Sequence, residues 1–247
     1  MTKELIDLIK PNIFPNEEVI AGVATGYVSE ILKRSYFETQ IYNSQVVEND
    51  RKQLEKAFSS FFDFFYYQKQ THSDIILLNP LTNSNDLNIL ESDSIISQQK
   101  GILYNVSIAD CQAILVYDLN SEAVAAIHSG WRGTKLNIVD KTINRMMNLF
   151  KSNPENLLVY LSPSASVENY EVGQKFMEMF PESTIHFQGK YFFNNRKQII
   201  QQLISTGIKK SNIESTNECT INNSRYHSFR RDGSRSGRMS AFIGLKH

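Results

Sequence analysis

The period of the apolar positions changes several times along the chain, and each change marks an element. Val47, Leu54, Phe58 and Phe61 recur near helical spacing with charged residues between them, which predicts a helix over 46–62. Residues 64–72 then read as a strand, aromatic at first and polar toward its end, with His72 at the terminus. Short apolar runs at 102–106, 113–117, 123–127, 157–161 and 239–245 predict buried strands. Leu136, Val139, Ile143, Met146, Met147 and Phe150 line one face of a helix over 134–150. A short helix over 173–180 stops at Pro181, and a helix over 196–205 closes on Gly207 as its C-terminal cap. Residues 21–28 look extended, Leu5, Ile6, Leu8 and Ile9 fit a short helix as well as a strand, and 79–97, rich in Asn, Ser and Asp, reads as an exposed excursion around one or two short elements.

Strands and helices mix without a regular βαβ alternation. That predicts an α+β fold over 1–247, a single domain with mixed and antiparallel β-sheet packed by helices and with the chemistry at strand ends. Lysine plus arginine and aspartate plus glutamate both number 26, so no global charge draws the chain toward nucleic acid or an anionic membrane surface, and any anion site must be local. No stretch approaches the roughly 20 apolar residues of a membrane span, and the charged start lacks the apolar core of a secretory signal. The two cysteines, Cys111 and Cys219, make no disulfide framework, so a reducing cytoplasm is expected.

The chemistry concentrates between Ile108 and Gly133. Runs 113–117 and 123–127 flank the turn-prone Asp118-Leu119-Asn120-Ser121, and a tight turn centred on Leu119-Asn120 sets Cys111 directly opposite His128. Opposed residues on one face have Cβ atoms roughly 5 Å apart, close enough for a thiolate and an imidazole to share one metal ion or one proton. Taken singly, Cys111 fits a small buried hydrophobe and His128 a hydrogen-bonded structural residue; facing each other before a glycine-rich turn, they make a candidate site. His72 at another strand end would complete a His₂Cys set with an open fourth position, the ligand count of a catalytic zinc site. Cys219 or His227 as a fourth ligand would instead make the site structural.

Two local basic features accompany it. Gly130-Trp131-Arg132-Gly133 precedes a helix, where backbone N–H groups and a guanidinium can collect around an anion, unless the segment is simply a tight turn with Trp131 packed inside. Arg225, Arg230, Arg231, Arg235 and Arg238 form a second cluster, readable as a solvated face or as a phosphate or carboxylate clamp.

These motifs resemble a known family. IADCQAILVYDLNSEAVAAIHSGWRG is similar to the TADC…AAHAGWRG signature of the YfiH/YlmD-type laccase-domain, or polyphenol oxidase, proteins associated with purine nucleoside phosphorylase activity. Gln70-Thr71-His72 looks like the family's QVH, Tyr170-Glu171-Val172-Gly173 like its YEVG, and Cys219-Thr220, Ser228 to Gly233 and Gly237-Arg238-Met239 like its CT…SYRRDG…GRM ending. The chain departs from the pattern at residues 162–169, which lack the family's glycines and paired cysteines. It departs again in the early TR…GGVS…N stretch, where Thr25 to Ser29 keep little and Glu38 stands near the usual asparagine.

The resemblance implies that His72, Cys111 and His128 ligate one zinc ion, with copper as the alternative metal. It also implies a zinc-dependent phosphorylase acting on adenosine, inosine and methylthioadenosine with phosphate as co-substrate, and an adenosine deaminase activity beside it. Arg132, Arg230 and Arg231 are then the candidates for substrate or phosphate binding. Three other readings compete: a peptidoglycan-editing amidase acting on a nucleotide-linked muramyl precursor, a copper-dependent polyphenol oxidase, and a metal-stabilised binding protein without activity. Five histidines and one well-placed cysteine are too few for a multicopper cluster. Oligomeric state is not encoded in any of these patterns.

Overall fold

The strands, in chain order, are β1 (Leu8–Ile9), β2 (Val19–Ala24), β3 (Phe64–Tyr67), β4 (Ile76–Leu78), β5 (Ser94–Ser97), β6 (Ile102–Ile108) and β7 (Gln112–Asp118). They continue with β8 (Ala123–Ser129), β9 (Leu157–Leu161), β10 (Glu171–Val172), β11 (Thr184–Phe187), β12 (Lys190–Phe193), β13 (Ile213–Ser215) and β14 (Met239–Leu245). These come from a computed structural model that describes residues 7–25, 44–80 and 90–247.

The strands form a five-stranded sheet in the order β1-β2-β14-β6-β3, a six-stranded sheet in the order β13-β9-β7-β8-β5-β4, and a small three-stranded sheet in the order β10-β12-β11. The two large sheets share one core, in which Val106 and Ile108 of β6 meet Leu115 and Tyr117 of β7 and Val124 and Ala126 of β8. The other face of the six-stranded sheet, through Ile114, Val116, Ala125 and Ile127, packs on the helices Ile138–Phe150 and Asn195–Ser205. The helix Ser44–Phe58 lays Leu54 and Phe58 on the outer face of the five-stranded sheet, against Leu103 and Phe242. Strands β7 and β8 are buried along their whole length, which is why both read as near-continuous apolar runs. Ile138, Val139, Ile143 and Met146 are fully buried, and each contributes roughly 2 kcal/mol of apolar transfer.

The mixed and antiparallel sheets packed by helices match the sequence expectation, and several boundaries and contacts correct it. The hairpin register pairs Ala113 with His128 and Asp118 with Ala123, so the turn runs over residues 119–122 and Cys111 stands before β7 rather than opposite His128. The cause is Asp118, whose carboxylate accepts the Asn120 N–H (2.9 Å) and the Ser121 hydroxyl (2.7 Å) and so builds a wider turn. The strand expected to reach His72 ends at Tyr67, and His72 lies in a bend at φ 59°. The helix expected over 134–150 is two helices, Trp131–Lys135 and Ile138–Phe150, broken where Asn137 turns left-handed at φ 58°; Leu136, assigned to the apolar face, is exposed.

The largest correction falls in the supposed excursion over 79–97. Its last residues form β5, buried at every position and paired on both sides, with β4 and β8. Residues 81–89 lie outside the described residues, as do Leu5, Ile6, the 26–28 end of the first extended run, and the early motif from Gly26 to Glu38. The expected short helix over 173–180 narrows to Phe176–Met179, while Asn195–Ser205 ends before Gly207 at φ 100° as its cap requires.

Candidate metal centre

His128 is the penultimate residue of β8 and is buried. Cys111 sits two residues ahead of Ala113, the ladder partner of His128, so the true register keeps Cys111 on the same face as a diagonal neighbour. Asp110 makes that approach with φ 82°, its carboxylate accepting the Thr220 hydroxyl and the Arg230 backbone N–H, both at 2.6 Å. His72 enters from the bend after β3, its Nε2 3.9 Å from Cys111 Sγ and its ring edge-on to His128 with centroids 4.9 Å apart. The donor atoms of His72, Cys111 and His128 all lie within 4.8 Å of one another. Gly130 completes the floor: a Cβ there would come within 2.7 Å of Cys111 Sγ and 3.4 Å of the His72 ring.

Asp93 is the neighbour that sequence reasoning missed. It is fully buried just before β5, and its carboxylate accepts His128 Nδ1–H at 2.8 Å together with N–H groups from the His72 bend. The available signal was a carboxylate two residues ahead of the apolar pair Ile95-Ile96, since a charge carried into a buried strand must be fully hydrogen-bonded. Burial alone would raise the Asp93 carboxyl, but hydrogen bonds from His128 and Ser73 outweigh it and hold it at about 2. Burial likewise opposes the Cys111 thiolate and the His128 imidazolium. Their mutual attraction and hydrogen bonding, with His72 helping the thiolate and Asp93 the imidazolium, reverse both effects, drawing the thiol down to about 6 and the imidazole up to about 9.

This donor set fits a single zinc-type ion. Bonds of roughly 2.0–2.3 Å in a tetrahedral site hold ligand atoms roughly 3.3–3.8 Å apart, a small contraction from the geometry found. His128 donates through Nδ1 and so presents Nε2 to the site, the usual arrangement of a metal-bound histidine. Neither Cys219 nor His227 joins the group: among the described residues it consists of His72, Cys111 and His128. Cys219 instead accepts the Ser166 N–H at 3.3 Å, and His227 packs against Gly237.

The arginines distribute unequally around this centre. Arg230 lies over the Tyr170 ring (5.1 Å) and donates Nη1 to the Glu171 carbonyl (2.7 Å). Arg132 is exposed and lies over Trp131 (4.6 Å), which packs on Phe176 of a small aromatic cluster rather than in the main core. Tyr170, quoted above only as part of a motif, ties these groups together. Burial first, and then the negative charge of Cys111, push its hydroxyl well above the usual range, while Arg230 and Arg132 pull it down. Arg231 is committed elsewhere, donating to the carbonyls of Thr220 (2.9 Å) and Tyr226 (2.8 Å) and pairing with Asp232 (2.7 Å). Arg225 forms a two-pronged ion pair with Asp7, and Arg238 donates to the Ser236 and Gly237 carbonyls.

Comparison with known proteins adds independent findings. The family described as multi-copper polyphenol oxidoreductase laccase matches residues 39–246. A protein of Clostridium acetobutylicum named purine nucleoside phosphorylase is 37% identical over 183 residues, 72% of this chain and 75% of its own length. One of Bacteroides thetaiotaomicron with the same name is 34% identical over 161 residues, 61% of this chain and 60% of its own. The Escherichia coli protein named purine nucleoside phosphorylase YfiH is 31% identical over 162 residues, 62% of this chain and 64% of its own. Among solved structures, YlmD from Geobacillus stearothermophilus superposes with a TM-score of 0.84 at 20% identity, covering 100% of this chain and 98% of its own. The hypothetical protein YfiH of Bacillus licheniformis gives 0.79 at 23% identity, covering 92% of this chain and 93% of its own. These two likenesses concern the fold.

Proposed function

The chain belongs to the multi-copper polyphenol oxidoreductase laccase family, and from that premise we propose that it is a zinc-dependent purine nucleoside phosphorylase working at His72, Cys111 and His128. The observation that carries this reading is the donor group itself: three side chains converge, and no fourth His, Cys, Asp or Glu joins them among the described residues. Three protein ligands with a further position for substrate or water is the pattern of catalytic rather than structural zinc. All five histidines are described; only His72 and His128 belong to the group, which supports one ion rather than a multicopper cluster. The names carried by the relatives support purine nucleosides and phosphate as substrates.

Bound there, zinc supplies a Lewis acid for a substrate oxygen or for a water molecule. The chain's own residues account for the rest. Arg230 and Arg132, flanking Tyr170, are the groups we assign to phosphate, since guanidinium binds it through paired N–H bonds. Held against the anomeric carbon, a phosphate oxygen forms the new C–O bond while the bond to the purine nitrogen breaks, giving ribose 1-phosphate and free base. Tyr170 keeps its proton at neutral pH and lies within electrostatic reach of Cys111, Arg230 and Arg132. Arg231 acts at one remove, by fixing the carbonyls of the segment that carries Arg230. Adenosine, inosine and methylthioadenosine are the proposed substrates, adenosine deamination is a second reaction open to the same centre, and the proposed setting is a reducing cytoplasm.

The test is turnover of inosine, adenosine and methylthioadenosine by zinc-loaded protein with and without phosphate, with chromatography of base and sugar phosphate. Phosphate-dependent ribose 1-phosphate from inosine and adenosine, and 5-methylthioribose 1-phosphate from methylthioadenosine, both lost in Cys111→Ala, are the expected result. A folded, zinc-loaded sample that leaves all three nucleosides intact while cleaving a serine-containing muramyl precursor would replace the phosphorylase with the editing amidase.

A further inference from the structure

We propose that Asp93 is the positioning residue for both histidines of the centre, one carboxylate that fixes the ring of His128 and the backbone of His72 together. The proposal rests on the triad being a metal site, and is independent of which reaction that site performs.

Asp93 is itself anchored on both sides. Its N–H donates to the Ile75 carbonyl (3.1 Å) and its carbonyl accepts the His128 N–H (2.7 Å), so the carboxylate projects from a backbone locked between two strands. Its Oδ1 accepts from His128 Nδ1 at 2.8 Å and from the His72 N–H at 3.1 Å. Its Oδ2 accepts from the Thr71 N–H (3.2 Å), the Ser73 N–H (2.6 Å) and the Ser73 hydroxyl (2.7 Å).

Each half of that set has a consequence for the centre. Donation from Nδ1 fixes the rotation of the His128 ring and leaves Nε2 as its metal-facing nitrogen. The other half acts on the main chain. His72 sits at φ 59°, a left-handed conformation that is strained for a non-glycine residue, and successive N–H groups turned toward one anion offset that strain. Beyond the bend the chain passes directly into β4, which pairs in parallel with β5, the strand that Asp93 precedes. His72 is exposed and has no ladder to hold it, so the bend is what delivers its imidazole to Cys111.

Asp93→Asn keeps the shape of the side chain but removes its charge, and its amide nitrogen must face one of these donors. Cobalt titration followed by zinc competition should show a fall in metal affinity on the order of 10–100-fold. The thiolate-to-cobalt band of Cys111 should persist while the visible d–d bands shift as His72 leaves the ion. Ser73→Ala, which removes one donor and no charge, should stay within about threefold of wild type. A folded Asp93→Asn variant with wild-type affinity and an unchanged cobalt spectrum would overturn the proposal.

Should that variant fail to fold, the wild-type protein decides by NMR: a hydrogen-bonded Nδ1 proton on His128 and slowed exchange of the His72 and Ser73 amides are expected, and fast exchange at those amides would overturn it. Wild-type protein that binds no cobalt through Cys111 would count against the metal reading, and the same NMR signatures would still judge Asp93.

Discussion

The wall of the metal centre and the arginine-rich segment between β13 and β14 both gather charge, and they use it in different ways. Around Asp93 the ionisable groups are aimed at one another, Asp93 at His128, His128 at Cys111, Cys111 at His72, and all but the exposed His72 are buried or half-buried on or beside a strand. In the later segment the guanidinium groups are mostly at the surface and aimed at backbone carbonyls or at carboxylates outside the centre, as Arg231 and Arg225 show. The first arrangement holds charge in reserve for a ligand. The second neutralises it locally and ties down a stretch with few hydrogen-bonded ladders of its own. A count of arginines in a sequence therefore says little about anion affinity; what matters is which N–H groups remain after the fold has used the others.

The sharpest way to break this contrast is at His128. Replacing it by alanine should abolish zinc binding, read by elemental analysis. It should also destabilise the protein by about 3 kcal/mol in denaturant titrations, because the Asp93 carboxylate is left buried with one partner fewer. Retention of one zinc per chain would dissolve the distinction between the two regions.

Next in size is Arg231→Ala, expected to cost about 2 kcal/mol of stability through the lost charge-assisted bonds to the Thr220 and Tyr226 carbonyls, with zinc content unchanged. Arg230→Ala should do the reverse, raising the KM for phosphate several-fold while stability moves by less than about 1 kcal/mol. If the two effects exchanged places, Arg231 would be the phosphate ligand and Arg230 the staple.

The smallest expected signal is a titration. In metal-free protein the Cys111 thiol is lowered to about 6, so thiolate absorbance near 240 nm should appear as pH rises through that value and be missing from Cys111→Ala. The sign follows from the direction: a lowered thiol stabilises the fold fully above its ordinary value of 9.0, and that contribution is lost as pH falls through about 6. His128 runs the other way, stabilising fully below 6.5 and losing that contribution as pH rises through about 9. The metal-free pair is therefore favoured between those limits. Zinc binding at pH 7 should then release about one proton, measurable with a pH indicator, since His128 must give up its Nε2 proton to coordinate.

Much of this was readable from the residues alone, and the gaps have physical causes. Leu157–Leu161 and Met239–Leu245 were legible because a strand buried along most of both faces is a largely apolar run bounded by polar turns. The pairing of Cys111 with His128 was legible in its face and wrong in its register, because Asp118 holds Asn120 and Ser121 in a turn wider than the two-residue loop the sequence suggests. β5 was hidden because Ser92, Asp93 and Ser94 look like loop residues, and only their long-range partners make them a buried strand entry. The bend at His72 is set by a carboxylate far along the chain, so no local pattern announces it. The partners of Arg225 and Arg231 are likewise tertiary, which is why clamp and staple look alike in sequence.

The separations along the chain among the four residues of the centre carry a further consequence. His72 and Cys111 stand 39 residues apart, and Asp93 and His128 stand 35 apart. An ion held by His72, Cys111 and His128 is thus a crosslink that closes long loops, and a crosslink withdraws conformational freedom from the unfolded chain, the more so the longer the loop. With an ion bound, the proposed catalytic centre would also be a clasp, and the loaded chain would have fewer ways to come apart than the empty one.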